Sequence, residues 1–415
     1  MTAPAPYYDA LETRDPAVRE AQLLAALPKF VAHAKRSAPA FAQRLKGVDP
    51  KDITTRAALA QLPVTRKPEL IELKKGNLPF GGFASIKPGR MSHIFASPGP
   101  IYDPEAGAKD YWRVARALYA AGVRKGDIVH NSFGYHLTPA GWMVDSGARA
   151  IGCAIVPGGV GNTEQQVAAI RDIRPSSYCG TPSFLKIILE KGRELGADLS
   201  SLKNGLVAAE PLPPSLRNEL KSHGVAVLQW YGTADLGLVS YETPALEGMV
   251  LEESLLLEIV KPGSGEPVAD GEIGEIVVTS FNKTYPLIRF ATGDLSAVLP
   301  GPSPCGRTNT RIRGWLGRAD QTTKVRAMFV YPVQVAEVAR RHPEIARARL
   351  VVTSQHNLDV ATLQCETAAA ADPDLARRIG ESFQAVCKVR ADVALVAPGS
   401  LPSDGKVIDD QRKFA

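Results

Sequence analysis

At 415 residues the chain is longer than one hydrophobic core normally serves, so a large domain and a smaller one are expected. Apolar residues make up 45% and charged residues 22%, the composition of a globular protein, and no apolar run reaches the length of a membrane span. The net charge of +6 is scattered, which argues against nucleic-acid binding but suits a polyanionic small ligand. Five irregularly spaced cysteines argue against a disulfide framework, and the opening stretch has no basic start followed by an apolar core. A cytoplasmic protein is expected.

From Asp15 to about Leu45, Leu23, Leu24, Leu27, Phe30, Val31 and Ala34 recur at helical spacing and predict an amphipathic helix. From about Asp110 short apolar runs alternate with helical stretches. DIVHNSF leads to a helix near Ala140–Ala150, AIGCAIVPGG to TEQQVAAIRDI, SSYCGTP to SFLKIILEKGREL, and NGLVAAEPL to PPSLRNELKSH before AVLQWYG. That alternation predicts an α/β fold with a mainly parallel sheet. Between Val250 and Leu299 the segments LLLEIV, GEIVVTS and LIRFAT, broken by Gly/Pro turns, predict a β-rich part. GPSPCGRTNTRIRGWLGRAD is strand-poor, and a linker is expected at Gly317–Asp320. Beyond about Gln321, two helical stretches and the strand-like ARLVVTS and ADVALV predict a small α+β domain.

Chemistry-bearing residues gather in five places. Lys406 lies in LPSDGKVIDD, Asp294 closes the run PLIRFATGDL, and Arg318 and Asp320 flank the linker. Tyr231, Gly232, Thr233 and Asp235 stand in QWYGTADLG, and Ala208, Ala209 and Glu210 follow an apolar run. Taken singly each has a plain structural reading: a solvated lysine, a Gly-Asp turn, a surface ion pair, a strand end. The functional readings are a carboxylate for ribose hydroxyls, an aromatic ring for a nucleobase, a threonine for phosphate and an aspartate for a metal. Ligands of open α/β sheets bind beyond the carboxyl ends of the strands, where several of these motifs fall.

In order and spacing these motifs resemble the phenylacetate–CoA ligase branch of the adenylate-forming enzymes. The resemblance runs from LPVTRKPEL through FGYHLTPAG, GGVGNTEQQVAAIRDIRPSSYCGTPSFL, GLVAAEPLPPSLRNEL, WYGTADLG and PLIRFATGDL to GRADQTTKVRAMFVYPVQV and LPSDGKVID. It implies a large N-terminal adenylation domain (1–317), a hinge (318–320) and a C-terminal lid (321–415). It also implies ATP, Mg²⁺ and coenzyme A as reactants, a carboxylic acid made first into an acyl adenylate and then a thioester, and relatives that are often homodimers. Carried over, Tyr231, Gly232, Ala208, Ala209 and Glu210 would surround adenine, Thr233 the α-phosphate and Asp235 the Mg²⁺. Asp294 and Arg318 would hold the ribose, and Asp320 would be the hinge. Lys406 would bridge the attacking carboxylate and the α-phosphate. Phe133, Gly134, Tyr135, His136, Gly158, Gly159 and Ala208 would form a pocket for a flat aromatic acid, with a packed core role equally open for His136.

Three departures from the family pattern stand out. The phosphate loop corresponds to FASPGPIYDP: Ser97 and Gly99 remain, but Pro98 and Pro100 carry no N–H, and no lysine follows. Weak hold on the β- and γ-phosphates and a raised KM for ATP are expected. Ala327 replaces a glycine expected on the pantetheine route, which leaves a non-CoA acceptor open, and the proline-rich loop leaves a non-catalytic homologue open. Cys305 is single where many members carry two cysteines, so a structural thiol is expected there rather than zinc.

Overall fold

The computed structural model describes residues 6–97, 101–319, 321, 323–326, 328–330, 332–356, 358–368 and 372–412. The chain divides into two compact units, one of Met1–Ala208 with Glu219–Gly317, the other of Ala209–Asn218 with Arg318–Ala415.

The first unit is built on a nine-stranded mixed sheet. Its parallel part runs Ala154–Pro157, Ile128–Asn131, Ser177–Gly180, Asn204–Val207 and Ala226–Thr233. At Ala226–Thr233 the direction changes: this strand is parallel to Asn204–Val207 on one side and antiparallel to Gly237–Glu242 on the other. Helices connect the parallel strands as the alternation predicts, at Ala140–Ile151, Thr163–Ile173 and Pro182–Glu194. Each has a local reason to start or stop. Thr181 caps the last of these by accepting from the Phe184 N–H, with Pro182 in its first turn, and Gly152 ends the first in the left-handed region.

The expected β-rich part is a second sheet in which Leu287–Ser296 lies between Thr65–Arg66 and Gly274–Ser280, and the latter pairs on with Leu255–Val260. All six positions of Leu255–Val260 are buried. The N-terminal helix covers this region through Leu27, Phe30, Val31 and Ala34, which join Leu255–Leu257, Ile276 and Phe290 in one core. That helix ends earlier than its periodicity implies. It spans Pro16–Ser37, and a separate short helix, Pro39–Arg44, follows. Pro39 forces the break, since the residue before a proline is pushed out of helical geometry and Ala38 is extended.

The second unit has its own core under a four-stranded sheet ordered Asp392–Val396, Leu358–Glu366, Arg347–Gln355, Ile408–Asp410. Helices Pro332–Arg341 and Pro373–Cys387 supply Val335, Val338, Leu375, Ile379 and Phe383 to it. Among the described residues no helix is long and apolar enough to cross a membrane.

Candidate active site

The carboxyl ends of the parallel strands carry most of the residues singled out above, all within the first unit. Ile128–Asn131 runs into Ser132 and Phe133, Ala154–Pro157 into Gly158 and Gly159, Asn204–Val207 into Ala208, and Ala226–Thr233 ends on Tyr231, Gly232 and Thr233. The sheet brings these ends into one row because neighbouring strands are in parallel register, Asn131 beside Pro157 and Cys179, and Val207 beside Gln229.

Two buried side chains organise the loops around this row, Asn131 at the end of the Ile128–Asn131 strand and Gln166 on the helix Thr163–Ile173. Asn131 accepts the Phe133 N–H at 3.2 Å and donates to the Tyr135 hydroxyl at 2.7 Å and to the Gly141 carbonyl at 2.9 Å. The Phe133–Tyr135 loop is thereby fixed, and Trp142 ties it again by donating to the Tyr135 carbonyl at 3.1 Å. Burial pushes the Tyr135 phenol well up, so its hydroxyl stays protonated.

Gln166 does the same for the glycine loop. Its amide nitrogen donates to the carbonyls of Gly159 at 2.8 Å and Gly161 at 2.7 Å, and its amide oxygen accepts from Ser132 at 2.7 Å and His130 Nε2 at 2.8 Å. The glycine carbonyls can only accept, which fixes the amide's orientation and hence the histidine tautomer, with the proton on Nε2. Desolvation lowers the His130 pKa, keeping the ring neutral. Gly158 admits no side chain here, because a Cβ would lie 2.8 Å from Gln166 Oε1 and 2.9 Å from His130 Nε2.

The residues expected on the nucleotide side come from both sheets, Tyr231 from Ala226–Thr233 and Asp294 from Leu287–Ser296. The Tyr231 hydroxyl donates to Asp294 Oδ2 at 2.8 Å, and Trp315 Nε1 donates to Asp294 Oδ1 at 2.9 Å. Asp294 is buried, and each of its carboxylate oxygens accepts one of these bonds. Phe133 makes an edge contact with Trp230 at 6.5 Å between ring centroids, which links the Phe133–Tyr135 loop to the strand of Tyr231.

Beyond Tyr231 the chain turns through a tight hairpin into Gly237–Glu242, Thr233 pairing with Gly237. Gly232 is required by packing, since a Cβ would sit 2.3 Å from the Gly237 carbonyl. The Thr233 hydroxyl accepts the Leu236 N–H at 3.1 Å. Asp235, its side chain fully buried, pairs with Lys67 at 2.8 Å. A carboxylate is the donor type expected for an Mg²⁺ ion that arrives on substrate phosphates, and Asp235 supplies one, already paired with Lys67. Among the described residues no three His, Cys, Asp or Glu side chains form a metal cage of their own.

The stretch FASPGPIYDP is not simply a loop. His93–Ser97 and Ile101–Glu105 are paired antiparallel strands, with Ser97 opposite Ile101. The Ser97 hydroxyl donates to the fully buried Asp103 carboxylate. Gly99, with Pro98 and Pro100, lies outside the described residues, as do Asp320 and Ala327. His136 is exposed, which removes the packed core reading left open for it. Cys305 is partly buried against Ser303 and Arg307, as a structural thiol would be.

Ala209, Glu210, Arg318 and Lys406 belong to the second unit. Ala209 adopts a positive φ of 71°, while Lys406 is exposed and its ammonium lies 3.3 Å from Asp409. Sequence reading passed over Asn131, Gln166, Trp315 and Lys67. The one available signal was Gln166, a polar residue beside Val167 and Ile170 on the buried face of its helix.

Fold and site together define an AMP-binding enzyme. The AMP-binding enzyme family model matches residues 135–283, and that of the AMP-binding enzyme C-terminal domain matches 327–412. Curated phenylacetate–coenzyme A ligases match over most of the chain. That of Thermus thermophilus is 32% identical, covering 89% of this chain and 85% of the relative; that of Escherichia coli K12 is 31% identical, covering 90% of each. The chain belongs to the phenylacetate–coenzyme A ligase family. It shares its fold with a solved 2-hydroxyisobutyryl-CoA ligase in complex with 2-HIB-AMP and CoA, at 24% identity and a TM-score of 0.88 over 100% of this chain and 94% of that one.

Proposed function

We propose that this protein is a cytoplasmic, AMP-forming ligase that activates an aromatic or arylacetic acid with ATP and passes the acyl group to coenzyme A. The observation that carries the reading is the Tyr231–Asp294–Trp315 hydrogen-bonded set, whose Tyr231 stands at the same sheet edge as the loops of Phe133–Tyr135 and Gly158–Gly159. A nucleoside and a flat acid bound at that edge would lie side by side. Asp294 and Arg318 would take the ribose hydroxyls, Tyr231 the adenine with Ala208, Ala209 and Glu210 around it, and Thr233 the α-phosphate. The carboxylate of the acid would attack the α-phosphorus and expel pyrophosphate, with Lys406 stabilising the charge that develops between them. The CoA thiol would then attack the acyl carbonyl and release AMP. Asp235 would hold the Mg²⁺ that shields phosphate charge. Asp320 would act as the hinge between the two half-reactions, and the enzyme would work as a homodimer.

The test is carboxylate-dependent ATP–pyrophosphate exchange across a panel of aromatic acids, with Lys406→Ala beside the parent. Exchange with at least one aryl or arylacetic acid is expected, falling by about 10²–10³-fold in the variant. Thioester formation is expected when CoA is added. Exchange without thioester would point to another acceptor, and no exchange with any acid would sink the ligase reading.

A further inference from the structure

Within the second unit one buried side chain grips both flanks of the turn that carries Lys406. Arg349, in the Arg347–Gln355 strand, is 5% exposed. One of its terminal nitrogens donates to Asp404 Oδ1 at 2.7 Å, two residues before Lys406, and the other meets Asp409 Oδ2 at 2.8 Å, three residues after it. Asp404 Oδ1 also accepts the Lys406 N–H at 3.0 Å, closing a small turn over Gly405, whose φ of +73° suits glycine. Past Lys406, the Val407 carbonyl accepts the Leu350 N–H at 2.9 Å. The backbone on each side of Lys406 is therefore tied to the Arg347–Gln355 strand, while the lysine side chain, 51% exposed, keeps its own freedom.

Asp409 is where this clamp meets the lysine. Its Oδ1 lies 3.3 Å from the Lys406 ammonium, and its Oδ2 takes Arg349 and, at 2.7 Å, the Gln411 amide. A lone carboxylate next to Lys406 would hold the ammonium in place. Shared with a guanidinium, its charge is largely answered from the other side, and the lysine is left free to leave for an anionic partner. A guanidinium can do this because its nitrogens are fixed in one plane and reach two carboxylates at once; an ammonium is a point charge that favours one of them.

We propose that Arg349 is a positioning residue for adenylation: it clamps Asp404 and Asp409 so that the turn presents Lys406 preformed, and it weakens the hold of Asp409 on the lysine. The inference rests on the reading of Lys406 given above, and its test separates the two. Pyrophosphate exchange is measured in the full-length parent, Arg349→Ala, Arg349→Lys, Lys406→Ala and the Arg349→Ala/Lys406→Ala double variant. Arg349→Ala should lower kcat by about 10–100-fold, as loss of a supporting contact does, leave KM for ATP and acid almost unchanged, and be partly rescued by lysine. Because Arg349 acts through Lys406, the double variant should be slower than Lys406→Ala by no more than about twofold. Losses that multiply, or a change confined to KM, would overturn the proposal. An exchange rate unaffected by Lys406→Ala would instead overturn the reading of the lysine. Amide hydrogen exchange tests the clamp without any turnover. Residues 404–407 should exchange at least about tenfold faster in Arg349→Ala, with the Leu350–Leu363 pairing still protected. Unchanged exchange at the turn would mean that no clamp exists.

Discussion

Asp110 shows how one side chain can set a pH response. It stands at a φ of 54°, ahead of the helix Ala115–Ala120, and accepts the N–H groups of Val114 at 2.9 Å and Ala115 at 3.0 Å. Burial nevertheless dominates and pushes its carboxyl up from 3.8 to about 6 against those bonds. A carboxyl raised on folding binds its proton more tightly in the native state. Its stabilising contribution is thus whole below pH 3.8 and is lost as pH rises through about 6. The rise from 3.8 to about 6 corresponds to about 3 kcal/mol across that window. Asp110→Asn, which tolerates the left-handed backbone and still offers an acceptor oxygen, should remove the slope. Urea unfolding at pH 4 and pH 7 should show the parent losing about 2–3 kcal/mol more between them than the variant does; equal slopes in both would refute the assignment.

At the scale of the element, the paired strands His93–Ser97 and Ile101–Glu105 set this chain apart. The family's loop grips phosphates with backbone N–H groups and hydroxyls, whereas the Ser97 hydroxyl here is spent on the buried Asp103. Ser97→Ala should therefore cost about 1–3 kcal/mol of stability, the penalty for taking a donor from a buried carboxylate. It should change the KM for ATP by less than about twofold, a shift worth under 0.5 kcal/mol. Thermal unfolding and ATP saturation curves for parent and variant check both parts, and a tenfold rise in KM would restore Ser97 to the phosphates. The residues alone showed what this loop lacks, since Pro98 and Pro100 are plain to read, but not that its flanks pair as strands. Pairing of Phe95 with Asp103 depends on backbone hydrogen bonds between two separate segments, which no alternation in HIFAS or IYDPE announces. The N-terminal helix failed to read as two for a related reason: its apolar spacing carries through Ala38, and only the conformational demand of Pro39 stops it.

For the molecule as a whole, the parallel strands and their helices were legible because each is a local apolar run with its own caps. The Tyr231–Asp294 bond was not, since it joins residues from two different sheets and exists only once both have formed. Gln166 escaped for the same reason, its partners being scattered between His130 and Gly161. The division of the chain has a functional consequence of its own. Tyr231, Asp294 and the acid-pocket loops stand on the core of the first unit, while Lys406 and its clamp stand on the core of the second. Phe383, fully buried among Val335, Leu375 and Ile379, is a way to weaken the second core alone. Phe383→Ala should cost about 3–5 kcal/mol there, through lost burial and the cavity left behind. Amides of Arg347–Gln355 and Leu358–Glu366 should exchange faster, while those of Asn204–Val207 and Ala226–Thr233 keep their protection. Pyrophosphate exchange should fall with the second unit, since the turn of Lys406 rests on the Arg347–Gln355 strand. If Tyr231 and Asp294 hold AMP as proposed, affinity for AMP should stay within about threefold of the parent, a shift of under 0.7 kcal/mol. An AMP affinity that collapses along with the exchange activity would place the nucleotide's main anchors in the second unit.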